Sequence, residues 1–390
     1  MLPTFSTCRP LATYLLYVLL LFFAGTVTSL TDPESKAPHQ TPQIITGFYG
    51  TVPKIAIHDG QGKVSWTWDV NTGLGLLPAS LQRCVQGGQS ATEVKFAHQG
   101  EKIVAIMGGA AVLINHAPGK HDDKAVQFAV CLEGELGNAH TLELLPGNLL
   151  AVATTGQGPD AGVWVYDASK MAASPAPVQK LPGVRAIHGM VWEQQSQTLW
   201  AAGNTDAADG SGGTSYGVIQ GYKLNEFPRL GKSTTYTMSV AKQLGSEWDG
   251  SFAKWWNGPH DLVRVPSERL LLFPMDRGMH AINLSTGEFN HSGEQLVKDH
   301  LKGFQALGNR MGYDGEVLSR SDIKSVSLLP EGGALYVQAP WRSLSVIARQ
   351  VNLLSPTGVY STLFNGEALY RSRWFAEIPG WPTAAETGRK

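Results

Sequence analysis

The chain has 390 residues, 31 basic against 32 acidic side chains, 43% apolar residues and only 16% charged ones. Soluble domains average about 25% charged residues, so this chain is charge-poor, and its hydrophobic content excludes a disordered or collagen-like polymer. A net charge of -1 lacks the basic footprint that neutralising a phosphate backbone demands, which excludes nucleic acid as a partner.

The first 29 residues read as a signal peptide. Arg9 gives a short positive region, residues 15–24 (LLYVLLLFFA) an apolar one, and the small Val27 and Ser29 precede the polar TDPESK of residues 31–36. An uncleaved anchor is the rival reading, because Leu11 to Val27 is nearly long enough to span a bilayer. The expectation is a secreted protein with no membrane contact after cleavage. It has a linker over 30–41, a folded body over 42–378 and a tail over 379–390. Cys8 leaves with the signal, so Cys84 and Cys131 are expected as one disulfide, with two buried thiols as the alternative. Asn283-Leu284-Ser285 and Asn290-His291-Ser292 are glycosylation sequons.

Along the body, QIITGFYG from Gln43, KIAIHD from Lys54 and VSWTWD from Val64 read as three strands. Five segments then align without gaps: TEVKFAHQGEKIVAI from Thr92, HTLELLPGNLLAVAT from His140, HGMVWEQQSQTLWAA from His188, HDLVRVPSERLLLFP from His260 and KSVSLLPEGGALYVQ from Lys324. Each alternates apolar and polar residues, turns, and alternates again, which is a hairpin pattern. Two further strand-like runs follow, such as VWVYD from Val163 and PVQKL from Pro177, or GVIQGYKL from Gly217 and TYTMSVAKQL from Thr235. The starts are separated by 48, 48, 72 and 64 residues (140−92, 188−140, 260−188, 324−260). Four strands at that spacing make a propeller blade. ALYRSRWF from Ala368 is a lone strand that completes the incomplete first blade. The fold class is therefore all-β, a six-bladed β-propeller closed by pairing the C-terminal strand with the N-terminal blade, which leaves no open edge. A sandwich and a seven-bladed ring are the alternatives. One helix is expected over Leu296, Val297, His300, Leu301, Phe304 and Leu307, behind a capping box at Ser292–Gln295.

The segments NAHTLELLPGNLLAVA, HGMVWEQQSQTLWAAG, GPHDLVRVP and IKSVSLLPEG resemble a family of secreted six-bladed propellers known mainly as a domain of unknown function. The resemblance spans roughly residues 42–376 and implies fold and secretion, but brings no activity.

Function must come from what begins each inner strand. In the aligned repeats these residues are Thr92, His140, His188, His260 and Lys324, with Arg371 or Arg373 in the closing strand. A propeller gathers such positions into one ring at a channel mouth. Three chemistries compete for it. Lys324 and Arg371 could hold a carboxylate, with Thr92 and His140 beside it and His188 or His260 as base, as β-elimination on a uronic acid requires. His140, His188 and His260 could instead hold one divalent ion, although Lys324 would repel it. Or the ring is polar channel lining satisfied by water. Trp256 and Trp341 are candidate platforms for sugar rings. Gly213-Thr214-Ser215-Tyr216-Gly217 lacks the strand–helix setting of a nucleophile elbow, and His121-Asp122-Asp123 reads as a solvated turn.

These readings give a monomeric, secreted, carbohydrate-active propeller as the expectation. Its partner is an acidic carbohydrate or another small anion, and its leading activity is a lyase on uronate-containing oligosaccharides. Propeller-fold polysaccharide lyases offer only an analogy. The alternatives are a non-catalytic glycan- or protein-binding propeller and a metal-dependent hydrolase or lactonase. The latter wants acidic ligands, for which the ring offers Glu93, Asp261 and Asp322. No cofactor is required beyond that optional divalent ion.

Overall fold

The computed structural model describes residues 42–156, 158–206, 215–241, 258–308, 317–339 and 347–384. The expected signal peptide and linker, Trp256 and Trp341 lie outside the described residues.

Six four-stranded antiparallel sheets form the blades of a β-propeller. Blade 1 runs from its inner strand Leu369–Phe375 through Gln43–Phe48 and Lys54–His58 to Val64–Asp69. Blade 2 begins with Ala91–Ala97, blade 3 with Thr141–Leu145, blade 4 with Arg185–Glu193, blade 5 with Val263–Arg264 and blade 6 with Ile323–Leu328. The C-terminal strand pairs with the first one, Ile44 opposite Trp374 and Thr46 opposite Ser372. The expected closure is therefore present.

Strand alternation builds the core. In blade 2, Ile103, Ala105 and Met107 pack toward blade 1, while Val104 and Ile106 between them pack toward blade 3. In blade 3, Leu150 and Val152 face blade 2, and Ala151 and Ala153 face blade 4. Period-two patterning thus supplies both faces of each blade, and six apolar clusters each join one pair of neighbours around the ring.

Four features differ from the sequence expectation. A helix, α1 (Ala79–Gln86), buries Leu81 and Val85 and carries Cys84, which is disulfide-bonded to Cys131 at a Cα–Cα distance of 5.4 Å. The second helix, α2, spans Gly293–His300 with no side-chain cap from Ser292, whose N–H donates instead to Asn290 Oδ1. It stops short of Phe304 and Leu307 because the chain turns at Gly303 (φ +87°), where a Cβ would lie 2.1 Å from Gly358 O. The turn at His121–Asp123 is present with His121 exposed, but Asp123 is only half-exposed and accepts hydrogen bonds from Trp66 Nε1 and Ala117 N. Finally, residues 379–384 pack against the ring rather than trail from it. Trp381 is buried between blades 4 and 5 and donates to Val265 O and Glu268 O, and Thr383 accepts from Gln99 N.

No helix among the described residues is long and apolar enough to cross a membrane. Asn283 and Asn290 are both exposed.

Candidate functional site

The inner strands do not begin regularly. Pairing skips Thr92 between Ala91 and Glu93, the residues between Arg185 and Gly189, Lys324 between Ile323 and Ser325, and the stretch around Arg371 between Leu369 and Ser372. A β-bulge frees a residue from the ladder and re-aims its side chain. Four of the six ring positions (Thr92, His188, Lys324 and Arg371) sit at such bulges. The bulge before His188 includes Ala186 at φ +48°, and it turns the Ala186 carbonyl to accept from His188 Nδ1 at 2.8 Å. Gly189 then lets the blade-5 chain approach closely, since a Cβ there would lie 2.4 Å from Leu262 N.

The three imidazoles meet as the repeat implies. The His140 and His188 ring centroids are 4.5 Å apart, and those of His188 and His260 5.3 Å. His140 Nδ1 donates to Asn138 O at 2.8 Å, so His140 and His188 both carry their proton on Nδ1 and leave Nε2 basic. His260 is held the other way round. Its Nε2 lies 2.6 Å from Asp276 Oδ1 and 3.1 Å from Lys324 Nζ. The carboxylate makes the shorter contact and takes an N–H from Nε2, so the Lys324 ammonium stands beside that nitrogen as a neighbouring charge rather than as its hydrogen-bond donor, and Nδ1 is left as the basic nitrogen. That Nδ1 is buried and has no hydrogen-bond partner among the described residues.

All three imidazoles have their pKa values lowered from 6.5, which favours the neutral ring near pH 7. Burial, and then the Arg371 guanidinium, push His140 down to about 3. Burial and the neighbouring His140 and His260 hold His188 well below 6.5. Burial and Lys324 lower His260 against the opposing pull of Asp276. Burial works against ionising Asp276, but His260 and Lys324 outweigh it, and its pKa falls below the usual carboxylate value.

Thr92 and Arg371 are engaged by groups of the protein itself. Thr92 Oγ1 donates to Ala139 O at 2.9 Å. Arg371, fully buried, binds Glu93 at 2.5 Å and the carbonyls of His188 and His260 at 2.5 and 2.6 Å. It braces the backbone that carries the two imidazoles. Beneath it Arg373 bridges Glu93 and Asp261, and Glu143 binds Lys95 and Arg264, both at 2.7 Å. This lower layer sets four cations (Lys95, Arg264, Arg371, Arg373) against three carboxylates (Glu93, Glu143, Asp261). The mouth sets Lys324 against Asp276 and Asp322. Among the described residues the mouth thus carries carboxylates beside its lysine.

A His, Asp, Asp set emerges as well. One ligand atom from each of His260, Asp276 and Asp322 lies within 4.8 Å of the others; His140 and His188 do not join that group. Sequence reasoning had weighed Asp322 but missed Asp276, and it had missed Asn204. These two hold the same place in adjacent blades, 16 residues after their ring histidines (276−260 and 204−188). That shared offset is the signal that could have found them.

No family model matches the chain, and no curated protein matches it. Among solved structures it is similar to a chain of a nidogen/laminin complex (8% identity, 85% of this chain and 97% of that one, TM-score 0.46). It is also similar to the periplasmic gluconolactonase of Pseudomonas aeruginosa (14%, 87% and 99%, TM-score 0.44) and to a chain of a mitotic checkpoint complex (12%, 89% and 88%, TM-score 0.41). The six-bladed architecture rests on the blades described above.

Proposed function

We propose that the histidine end of the channel is a hydrolytic site in which His260, oriented by Asp276, takes a proton from water attacking an ester or lactone carbonyl. One observation carries this reading: Asp276 occupies Nε2 of His260 at 2.6 Å, so the basic Nδ1 is left without a partner among the described residues, in a residue that lines a small pocket with His188, Asn204 and Asp276. Burial and Lys324 keep that nitrogen unprotonated at neutral pH, as a general base requires. As the water oxygen bonds to the carbonyl carbon, its proton passes to Nδ1. The imidazolium then returns that proton to the departing alkoxide as the C–O bond breaks, giving an acid and an alcohol. Sugar lactones and sugar esters are the first class to screen, since a carbohydrate ligand is the sequence expectation.

The uronate-lyase reading is weaker, because it needs two cations on a substrate carboxylate. Arg371 is engaged by Glu93 and two carbonyls, and two carboxylates line the mouth. A second reading, a metal-dependent hydrolase, is favoured by the His260, Asp276, Asp322 set, a donor set that suits a divalent ion. Lys324, 3.1 Å from the same His260 nitrogen, counts against it.

The test is a panel of sugar lactones, acylated sugars and acidic polysaccharides, following acid release and the absorbance of unsaturated uronates. Hydrolysis by the wild type, falling about 100- to 10,000-fold in folded His260→Gln, is expected. A panel with no hydrolysis, or undiminished turnover in that variant, would reject the reading. Unsaturated uronate would restore the lyase. About one divalent ion per chain, lost in Asp322→Ala, would favour the metal reading instead.

A further inference from the structure

Asn204 ends the second strand of blade 4 (Thr198–Asn204) and is fully buried. Neither its Oδ1 nor its Nδ2 has a hydrogen-bond partner among the described residues. A buried polar group left unsatisfied loses its hydration without compensation, so an amide with both ends bare is costly to fold around unless something occupies the space beside it. That space is a pocket of about 10 Å³ shared by Asn204, His188, His260, Asp276 and Pro259. The volume is close to the ~10–15 Å³ that a single water needs.

The chemistry of the lining narrows the guest further. His260 Nδ1 and Asn204 Oδ1 both accept, and Asn204 Nδ2 donates. The guest must therefore give two hydrogen bonds and receive one. A metal ion cannot receive from Nδ2, an ammonium has no lone pair, and a carboxylate has no proton for Nδ1 or Oδ1. A water meets all three demands at once.

We infer that Asn204 and His260 Nδ1 together fix one water molecule, and that Asn204 is the residue that aims it at the substrate carbonyl. The inference rests on the hydrolytic reading for the role of the water, but not for its presence. Asn204 Oδ1 would take the proton that is not transferred, and Nδ2 would pin one lone pair. The remaining lone pair points along the line of attack while the base removes the other proton. The matching offset of Asn204 and Asp276 from their ring histidines gives the division of labour: in blade 5 that position orients the base, and in blade 4 it orients the nucleophile.

A crystal structure of the full chain at a resolution that orders solvent tests the site directly. An oxygen within about 3 Å of both His260 Nδ1 and an Asn204 amide atom is expected. Asn204→Leu, of similar size, should lose that solvent peak and lower kcat about 100-fold with little change in KM. Asn204→Ser, which keeps a hydroxyl, should recover part of kcat. A Leu variant that folds and turns over like the wild type overturns the inference, as does a wild-type structure with no solvent there or with the amide closed by a protein group. If His260→Gln is inactive while Asn204→Leu is not, the hydrolytic reading survives and this inference fails. If no substrate of the panel is hydrolysed, the solvent peak still decides whether the water site exists.

Discussion

Arg371 and His260 are joined through the backbone rather than through their charges: the guanidinium donates to the His260 carbonyl at 2.6 Å while its other arm binds Glu93 at 2.5 Å. The same nitrogen holds the His188 carbonyl at 2.5 Å. The ion layer of the channel and the imidazole layer above it are therefore one construction, and damage to the lower layer should reach the upper one.

Glu93→Gln tests that coupling. Glu93 is held at about 2: burial opposes its ionisation, but Arg371, Arg373 and Lys95 outweigh that cost. The amide would leave two buried guanidiniums short of a counter-charge. Removing one partner of a buried ion pair costs about 3–5 kcal/mol, and a loss of that size is expected in denaturant unfolding. Stability within about 0.5 kcal/mol of the wild type would mean that the network is not held as described.

Acid should destabilise the ring well before the carboxylates titrate. His140, His188 and His260 all have folded pKa values below 6.5, chiefly from burial, and His58 is lowered for the same reason. Between those values and about 6.5 the unfolded chain binds more protons than the folded one, so stability is full above about pH 6.5 and falls as pH drops. Each such histidine adds up to about 1.4 kcal/mol per pH unit. Unfolding followed from about pH 7 to about pH 4.5 should show this slope, made shallower by His140→Gln. Stability that is flat or rising on acidification over that window would contradict the burial of the three imidazoles.

Deleting residues from Ala368 onward should open the ring. It removes the inner strand of blade 1, including Arg371 and Arg373, and bares the edge at Gln43–Phe48 that Leu369–Phe375 covers. It also takes Trp381 out of the core between blades 4 and 5. The truncated chain should lose cooperative unfolding altogether. If it melts with the full chain, closure by the C-terminal strand is not what holds the ring together.

Much of this architecture was legible because a repeat multiplies weak signals. Alternation in one strand is ambiguous, but the same alternation after Thr92, His140, His188, His260 and Lys324 fixes the blade and brings the three histidines together. The pairing of Cys84 with Cys131 followed from there being no other cysteine after the expected signal. What alternation cannot express stayed hidden. Bulges at Thr92, Lys324 and Arg371 change where a side chain points without changing the sequence pattern, so the engagement of Arg371 by Glu93 and two backbone carbonyls was not visible. Asn204 closes the second strand of blade 4 and Asp276 lies just past that of blade 5, both outside the positions that the aligned starts single out. Helix α1 is only eight residues long, too short for helical periodicity to stand out from a loop.

The most direct measurement of the central claim needs no substrate: nitrogen NMR of the protein labelled at histidine, with His260→Gln used to assign the resonances. The geometry requires Nε2 of His260 to carry the proton, because Asp276 faces it at 2.6 Å, and Nδ1 to be bare. The expected spectrum at neutral pH shows a protonated Nε2 and an unprotonated Nδ1 for His260, with its titration midpoint below 6.5. In His140 and His188 the proton should sit on Nδ1, which faces a backbone carbonyl in each. A His260 that is protonated on Nδ1, or doubly protonated at pH 7, would have no base to offer and would contradict the account.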